Sequence, residues 1–272
     1  MPAEKNKKTH RAVEILDTLR RLGGSARTSQ LAHTLDVSEE TIRRTVKKLS
    51  KDGLVTRVHG GVFLSEGDAP ATFHQRIGTQ VAEKRRMARL VAEMVPDGAS
   101  LFMDVGSSTT FVAEALRVRD GLLVVTNSLA VAQTLAGHRG NKVFLAGGEV
   151  SAHVGGAFGA STQEFICRFQ MDMAILSADA VDAQRGFLLA DFNEAGVAGC
   201  FLRQAHRTIM VADHTKFTAS APVVIGAPNE IDIMVTDEAP PNVLSKALDN
   251  WQVEVRVAPA KAGKPPKKEK KA

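Results

Sequence analysis

Residues 37–49 read VSEETIRRTVKKL, and the nature of the N-terminal part of the chain turns on them. Ile42, Val46 and Leu49 recur at i, i+4 and i+7, the single apolar stripe of an amphipathic α-helix. Ser38 is a natural N-cap, Glu39 and Glu40 suit the positive end of the helix dipole, and Val37 can staple onto Ile42. Gly53 stands in the C′ position that ends such a helix. The outward face carries Arg43, Arg44, Lys47, Lys48 and Lys51, with no acid between Thr41 and Lys51. A solvated charged face is the ordinary meaning of such a run, but its surroundings argue for more.

Upstream, residues 11–22 place Val13, Ile15, Leu16, Leu19 and Leu22 at helical spacing before Gly23-Gly24 stops them. TSQLAHTL (28–35) reads as a second helix, capped at Thr28 or Ser29, with Leu31, Ala32 and Leu35 inward, and Asp36-Val37 makes a tight turn. Three short helices with a tight turn between the second and third form the helix-turn-helix pattern. Downstream, LVTRVHGGVFL (54–64) alternates Leu54, Thr56 and Val58, turns at Gly60-Gly61 and resumes with Val62 and Leu64, a two-stranded wing. A third helix of this kind suits a major groove: side chains near its start reach base edges and the flanking cations neutralise phosphates. The candidate DNA contacts are Thr28, Ser29, Ser38, Thr41, Arg43, Arg44, Lys47, Lys48, Arg57 and His59.

The charge distribution points the same way. The net charge of +5 is unevenly spread: residues 1–60 hold 13 basic and 7 acidic groups, the last twelve residues 6 and 1, and the 200 between them 16 and 22. A polyanion-binding end module joined to a mildly acidic body is the simplest reading. With 272 residues, 44% of them hydrophobic, the chain is long enough for two domains. No apolar run is long enough to span a membrane and the polar, basic N-terminus lacks a signal-peptide core, so a cytoplasmic protein with no membrane partner is expected. Cys167 and Cys200 lie far apart in apolar contexts and read as buried free thiols. The eight histidines show no HxxH or HExxH spacing and the cysteines no CxxC, so neither a metal nor a cofactor is expected.

Residues 65–80 (SEGDAPATFHQRIGTQ) lose all periodicity and read as a linker. From Val81 the rhythm changes. A helix over 81–95 precedes SLFMD (100–104), and a small-residue loop, GSSTT, leads into helix FVAEAL. LLVVT (122–126), helix SLAVAQTLA and KVFLAGG (142–148) follow, then MDMAILSA (171–178), RTIMVAD (207–213), DIMVTD (232–237) and VEVRVA (253–258). Fully apolar runs separated by helical stretches are the signature of a parallel sheet covered on both faces, an α/β fold. The Lys/Pro-rich tail, 259–272, is expected to be disordered.

In MDVGSSTTFVAEAL (103–116) a strand ends at Asp104, a turn uses Gly106, and the hydroxyls of Ser107, Ser108, Thr109 and Thr110 precede a helix. Free N–H groups at a helix N-terminus, helped by hydroxyl donors, suit an anion of the phosphate type, although spare hydroxyls around an ordinary N-cap look the same. VTNSL (125–129) and LAGGE (145–149) also set small polar residues or glycines just past strands, so three strand ends can converge on one pocket.

SEETIRRTVKKLSKDGLVTRVHGG resembles the N-terminal signature of the DeoR family of bacterial transcriptional regulators, with its TIRRDL helix and HGG wing; Thr45 stands where the family usually has aspartate. EKRRMARLVAEMVPDG, DVGSST, VVTNSL, AGGE and VADHTKF are similar to segments of the family's effector domain, related in fold to ribose-5-phosphate isomerase. The resemblance implies a winged helix-turn-helix domain over 9–64 (helix-turn-helix about 26–45), a linker over 65–80, and an effector-binding and oligomerisation domain over 81–258 with a mainly parallel sheet. It implies a regulator, and above all a repressor, that binds double-stranded operator DNA as a homo-oligomer (dimer or tetramer) and responds to a phosphorylated sugar or polyol. Carried over by position, the effector candidates are Lys84, Asp104, Gly106, Ser107, Ser108, Thr109, Asn127, Gly147, Gly148, Asp191, Glu194, Asp213 and Lys216. GFLLADFNEAG, GASLFMDVGSST, QEFICRFQMDMAIL and VTDEAPP resemble the glycerol-3-phosphate repressors, which makes glycerol 3-phosphate the leading effector. After Glu194, AGVAGC replaces the cations usual in the family. The rival reading is a sugar-phosphate isomerase-like enzyme carrying a DNA-binding module, with Asp104 and Asp213 as conceivable acid–base groups.

Overall fold

The computed structural model describes residues 11–19, 25–51, 54–58, 61–64 and 73–259, and the chain divides into two compact units, Met1–Ala71 and Thr72–Ala272. In the first unit, helix α1 (11–19) is followed by strand β1 (Ser25–Arg27), α2 (Thr28–Thr34), α3 (Glu39–Lys51), β2 (Val55–Val58) and β3 (Gly61–Leu64). Its core is Ile15, Leu19, Leu31, Ile42, Val46, Leu49, Val55 and Val62, each nearly or wholly removed from water. At about 1.5–3 kcal/mol per buried aliphatic side chain, this cluster is what offsets the ordering of so short a unit.

Three details differ from the sequence reading. Val13 is 51% exposed and lies off the inward stripe. The wing has three strands, in the order β1-β3-β2, because Ser25–Arg27 pairs antiparallel with β3. In β2 the alternation is shifted by one residue, with Val55 buried and Leu54 44% exposed, while Val62 of β3 is buried in the expected phase. A one-residue shift exchanges the two faces of a strand, and the sequence leaves the phase open there because Val55 and Leu54 are equally apolar. The expected ends at Leu22 and Gly53 and the wing tip at His59-Gly60 lie outside the described residues.

The second unit begins with α4 (Phe73–Ile77), inside the stretch expected to be a linker, and α5 (Val81–Met94). Then come β4 (Ser100–Met103), α6 (Ser107–Leu116), β5 (Leu123–Thr126), α7 (Leu129–Leu135), β6 (Lys142–Leu145), β7 (Glu149–Ser151), β8 (Gly156–Phe158), α8 (Ala160–Ile166) and β9 (Met171–Ser177). The chain continues with β10 (Ala180–Asp182), β11 (Gly186–Leu189), α9 (Phe192–Arg203), β12 (Ala205–Val211), β13 (Val223–Val224), β14 (Ile233–Thr236), α10 (Asn242–Asn250) and β15 (Glu254–Val257).

Seven strands form one sheet in the order β15-β14-β12-β9-β4-β5-β6, and every neighbouring pair is parallel. The apolar runs follow from coverage of both faces. Along β4, Leu101 and Met103 pack into one core with Met87, Val91, Val112 and Leu116, while Phe102 packs into the other with Phe201, Leu244 and Leu248. With water on neither face, alternation has no reason to exist. Two small antiparallel sheets, β7-β8 and β10-β11-β13, lie outside this frame.

Strand order reverses between β4 and β9. From β4 the chain proceeds to β5 and β6 on one side, and from β9 to β12, β14 and β15 on the other. Parallel pairing sets all seven carboxyl ends along one edge. A reversal of this kind is where an open α/β sheet usually holds a ligand, here at the carboxyl ends of β4 and β9.

Gly148, between β6 and β7, has φ +154°, and a Cβ there would lie 2.5 Å from the Phe158 carbonyl oxygen and against the Thr162 hydroxyl. Because one obstacle is backbone, Gly148→Ala is expected to destabilise the second unit by about 1–3 kcal/mol. Urea denaturation followed by the single tryptophan, Trp251 in this unit, measures it, and an unchanged midpoint overturns the packing role of Gly148.

Candidate functional site

On α3, Arg43, Arg44, Lys47, Lys48 and Lys51 are all exposed on the side opposite Ile42, Val46 and Leu49. One cation has an acid after all: Arg43 Nη2 lies 3.3 Å from Glu39 Oε2, one turn back. Both partners are exposed, so the pair contributes a few tenths of a kcal/mol and yields easily to a phosphate. Ser38 caps the helix, its hydroxyl accepting the Thr41 N–H at 3.3 Å and lying 2.9 Å from the Thr41 hydroxyl. Thr45 donates to the Thr41 carbonyl at 2.9 Å, so its hydroxyl is satisfied within the helix and adds no negative charge to the cationic face. Thr28 is the first residue of α2 and the cap position falls to Arg27; Ser29 is exposed. Arg57 sits on β2 opposite Val62, and His59 lies outside the described residues.

In the second unit the candidate residues gather at the carboxyl ends of the strands. Asp104 and Gly106 follow β4, Asn127 follows β5, Gly147 and Gly148 follow β6, and Asp213 follows β12. Helix α6 begins at Ser107, earlier than expected, so the hydroxyl run forms its first turn. Its N-cap is Gly106, which supplies no capping side chain. The N–H groups of Ser107, Ser108 and Thr109 accordingly find no acceptor among the described residues, whereas Thr110 N–H bonds the Gly106 carbonyl at 3.1 Å. An uncapped helix N-terminus with buried hydroxyls is chemically suited to an anion. A Cβ at Gly106 would crowd the Ser177 hydroxyl at the end of β9, so the two strand ends approach closely there. The Thr109 hydroxyl is already engaged, donating to the Gly106 carbonyl at 3.0 Å, which leaves those of Ser107 and Ser108 available.

The charged groups form a connected set around these strand ends. Asp104 is fully buried, and burial together with nearby Glu194 and Asp179 holds its carboxyl well above the usual range. Burial and then Asp179 push Glu194 up to about 7, against the pull of Arg76. Arg76, on α4, lies 3.6 Å from Asp179. Lys84 is only 3% exposed, and its ammonium donates to the carbonyls of Arg76 at 2.6 Å and Thr79 at 2.9 Å. Burial lowers Lys84 to about 8, opposed by Asp213, with Lys216 and Arg76 adding to the fall.

Several candidates have structural tasks. Asp191 caps α9, accepting from the N–H groups of Asn193 at 2.8 Å and Glu194 at 3.1 Å. Asp213 caps the 3-10 turn His214–Phe217, accepting from the Thr215 N–H and hydroxyl. The Gly147 carbonyl takes the Thr162 hydroxyl at 2.7 Å, and Gly148 is held by packing. Asn127 spends its amide N–H on the Ala157 carbonyl at 3.1 Å, and its buried Oδ1 has no partner among the described residues. Arg76, Ser177 and Asp179 were missed. Arg76 lay in a stretch read as linker, while SADA at the end of MDMAILSA carries the same strand-end signal that identified Asp104.

With this geometry in hand, comparison with known proteins is direct. Residues 11–66 match the DeoR-like helix-turn-helix domain and residues 79–238 the DeoR C terminal sensor domain. The chain is 37% identical to the HTH-type transcriptional repressor CsqR of Escherichia coli (strain K12), over 83% of this chain and 87% of that protein. It is 34% identical to the glycerol-3-phosphate regulon repressor of the same organism, over 92% and 99%. Ribose 5-phosphate isomerase A from Methanocaldococcus jannaschii is similar at 14% identity over 52% of this chain and 56% of that one, with a TM-score of 0.38. Matches across both units and relatives above 30% identity over nearly the whole length lead to one conclusion: the chain belongs to the DeoR family of DNA-binding transcriptional regulators.

Proposed function

We propose that this regulator represses a carbohydrate or polyol catabolic operon and leaves its operator when a phosphorylated polyol, foremost glycerol 3-phosphate, fills the crevice between β4 and β9. The observation that carries this is the uncapped N-terminus of α6 at the switch point, where free N–H groups and the Ser107 and Ser108 hydroxyls suit a phosphate. The orphaned Asn127 Oδ1 suits a hydroxyl donor better than a phosphate oxygen, so it falls to the polyol end of the ligand. Lys216, half-buried beside Lys84, supplies positive charge. On this reading Asp191, Asp213 and Lys84 shape the walls. The likeness to the glycerol-3-phosphate regulon repressor supports the choice of ligand, and the AGVAGC segment of α9 tunes its affinity.

One observation favours a second reading, an isomerase-like activity of the same crevice: Glu194, held near neutrality, has the pKa of a general base. The names of the relatives favour regulation, and ribose 5-phosphate incubated with the pure protein is expected to remain unconverted.

The regulator acts as a homo-oligomer, because one recognition helix reads too few base pairs to be specific. Arg44→Ala is expected to weaken operator binding by about 1–3 kcal/mol if Arg44 contacts a base, with affinity falling steeply as salt rises. Gel-shift titrations test both. Unchanged titrations remove α3 from the groove, and a monomeric mass by light scattering, free and on DNA, removes the oligomer.

Ser107→Asp sets a carboxylate where the phosphate is assigned. The variant is expected to keep its operator affinity but to lose glycerol 3-phosphate-induced release, along with the ligand's elevation of the melting temperature. Release that persists relocates the anion site.

Glu194 also makes stability depend on pH. Its folded pKa of about 7 lies above the ordinary 4.5, so between those values the unfolded chain ionises while the folded chain stays protonated, and stability falls as pH rises. Glu194→Gln is therefore expected to be more stable than the parent at pH 8, by up to about 3 kcal/mol, and equal to it near pH 4. Parallel thermal melts at the two pH values check the sign; a variant less stable at pH 8 refutes it.

A further inference from the structure

Cys167 and Cys200, read from the sequence as two separate buried thiols, are neither separate nor both buried. Cys167 is exposed at the C-cap of α8, and Cys200 is buried on the third turn of α9. They are near enough for Cys167 to act on Cys200, adding to the rise in its pKa that burial causes. What brings them together is the approach of α8 to α9 at Gly196, where a Cβ would come within 2.7 Å of the Gln163 amide nitrogen on α8. Gln163 and Gly196 each stand four residues, about one turn, before a cysteine, so the contact between them sets the two cysteines level on the next turn of the paired helices. A larger side chain at Gly196 would have to displace that of Gln163. The segment AGVAGC thus has a physical consequence besides the loss of cations.

We propose that Cys167 and Cys200 constitute a redox-modification site, in which a peroxide closes the α8–α9 contact into an intrachain disulfide. The order of events follows from exposure. The Cys167 thiolate, open to solvent, attacks one oxygen of hydrogen peroxide, the O–O bond breaks, hydroxide leaves, and sulfenic acid forms. The Cys200 sulfur then attacks the sulfenic sulfur, the S–O bond breaks, and the thiol proton departs with the hydroxyl as water. Two sulfurs together lose two electrons, and the peroxide is reduced to two waters. Burial raises the Cys200 thiol above its ordinary pKa, which keeps it from reacting first. Arg203, whose Nη2 lies 3.4 Å from Cys200 Sγ, stabilises the thiolate when its turn comes.

The bond would join the end of α8 to the same helix that begins at the Asp191 cap and carries Glu194, so on the proposed effector reading it stiffens one wall of the crevice. Thiol mapping is independent of DNA and effector, so its outcome is separable from that reading.

The test treats the full chain with hydrogen peroxide, blocks remaining thiols with N-ethylmaleimide and maps peptides by mass spectrometry. Free thiols are expected to fall from two to none per chain, with one cross-linked peptide pair holding both cysteines and no covalent dimer on a non-reducing gel. Cys200→Ser is expected to drive Cys167 on to sulfinic acid, and Cys167→Ser to leave Cys200 reduced at the same peroxide dose. A parent protein in which Cys200 stays alkylatable while Cys167 over-oxidises, or in which disulfides join separate chains, overturns the proposal.

Discussion

The reversal of strand order between β4 and β9 is the constraint on which the second unit depends. Each crossover must return its chain to the same edge, because all pairs in the seven-stranded sheet are parallel. Beside the reversal, the chain leaves β4 towards β5 and β6 on one side and β9 towards β12, β14 and β15 on the other. Gly106, pressed against Ser177, lets the loop after β4 lie on the end of β9, and Asp104, Asp179 and Glu194 are drawn into one charged group that neither strand could assemble alone.

The frame of this arrangement was legible in the sequence, since a strand buried on both faces has no choice but to be apolar along its length. The runs at 100–104, 171–178, 207–213 and 232–237 became β4, β9, β12 and β14. What was not legible is short or set by partners. Strands such as β13 (Val223–Val224) are too short to carry a period, and β1 exists only because β3 offers it an edge. Among the effector candidates, the sequence located the α6 turn but could not say which hydroxyls were spoken for. Thr109 turns back to Gly106 while Ser107 does not, a distinction that belongs to the helix geometry. Arg76 was hidden because a five-residue helix between unpatterned stretches gives no signal; its place comes from the ion pair with Asp179 and from its carbonyl, which holds Lys84.

On the proposed reading the two units meet phosphate in opposite ways. The α3 cations are exposed, flexible and mostly unpaired among the described residues, which suits a polyanion whose counterions are released and whose grip depends on salt. The α6 turn offers fixed N–H dipoles in a buried setting, where the field is strong and screening weak. On that reading, a change of salt that greatly alters attachment to DNA leaves the affinity for a small metabolite nearly constant.

That pocket has an electrostatic difficulty, because three carboxylates stand close to where a dianion is proposed to bind. Protonation resolves it. Burial disfavours ionisation of Asp104, Glu194 is pushed up to about 7, and Asp179 is paired with Arg76. A carboxyl that keeps its proton no longer repels a phosphate and becomes a hydrogen-bond donor. An arriving anion further favours the protonated forms, so on the proposed reading ligand binding takes up protons, and the affinity of the crevice falls as pH rises through the Glu194 pKa. The charge that would have excluded the ligand is thereby made conditional on the ligand's absence.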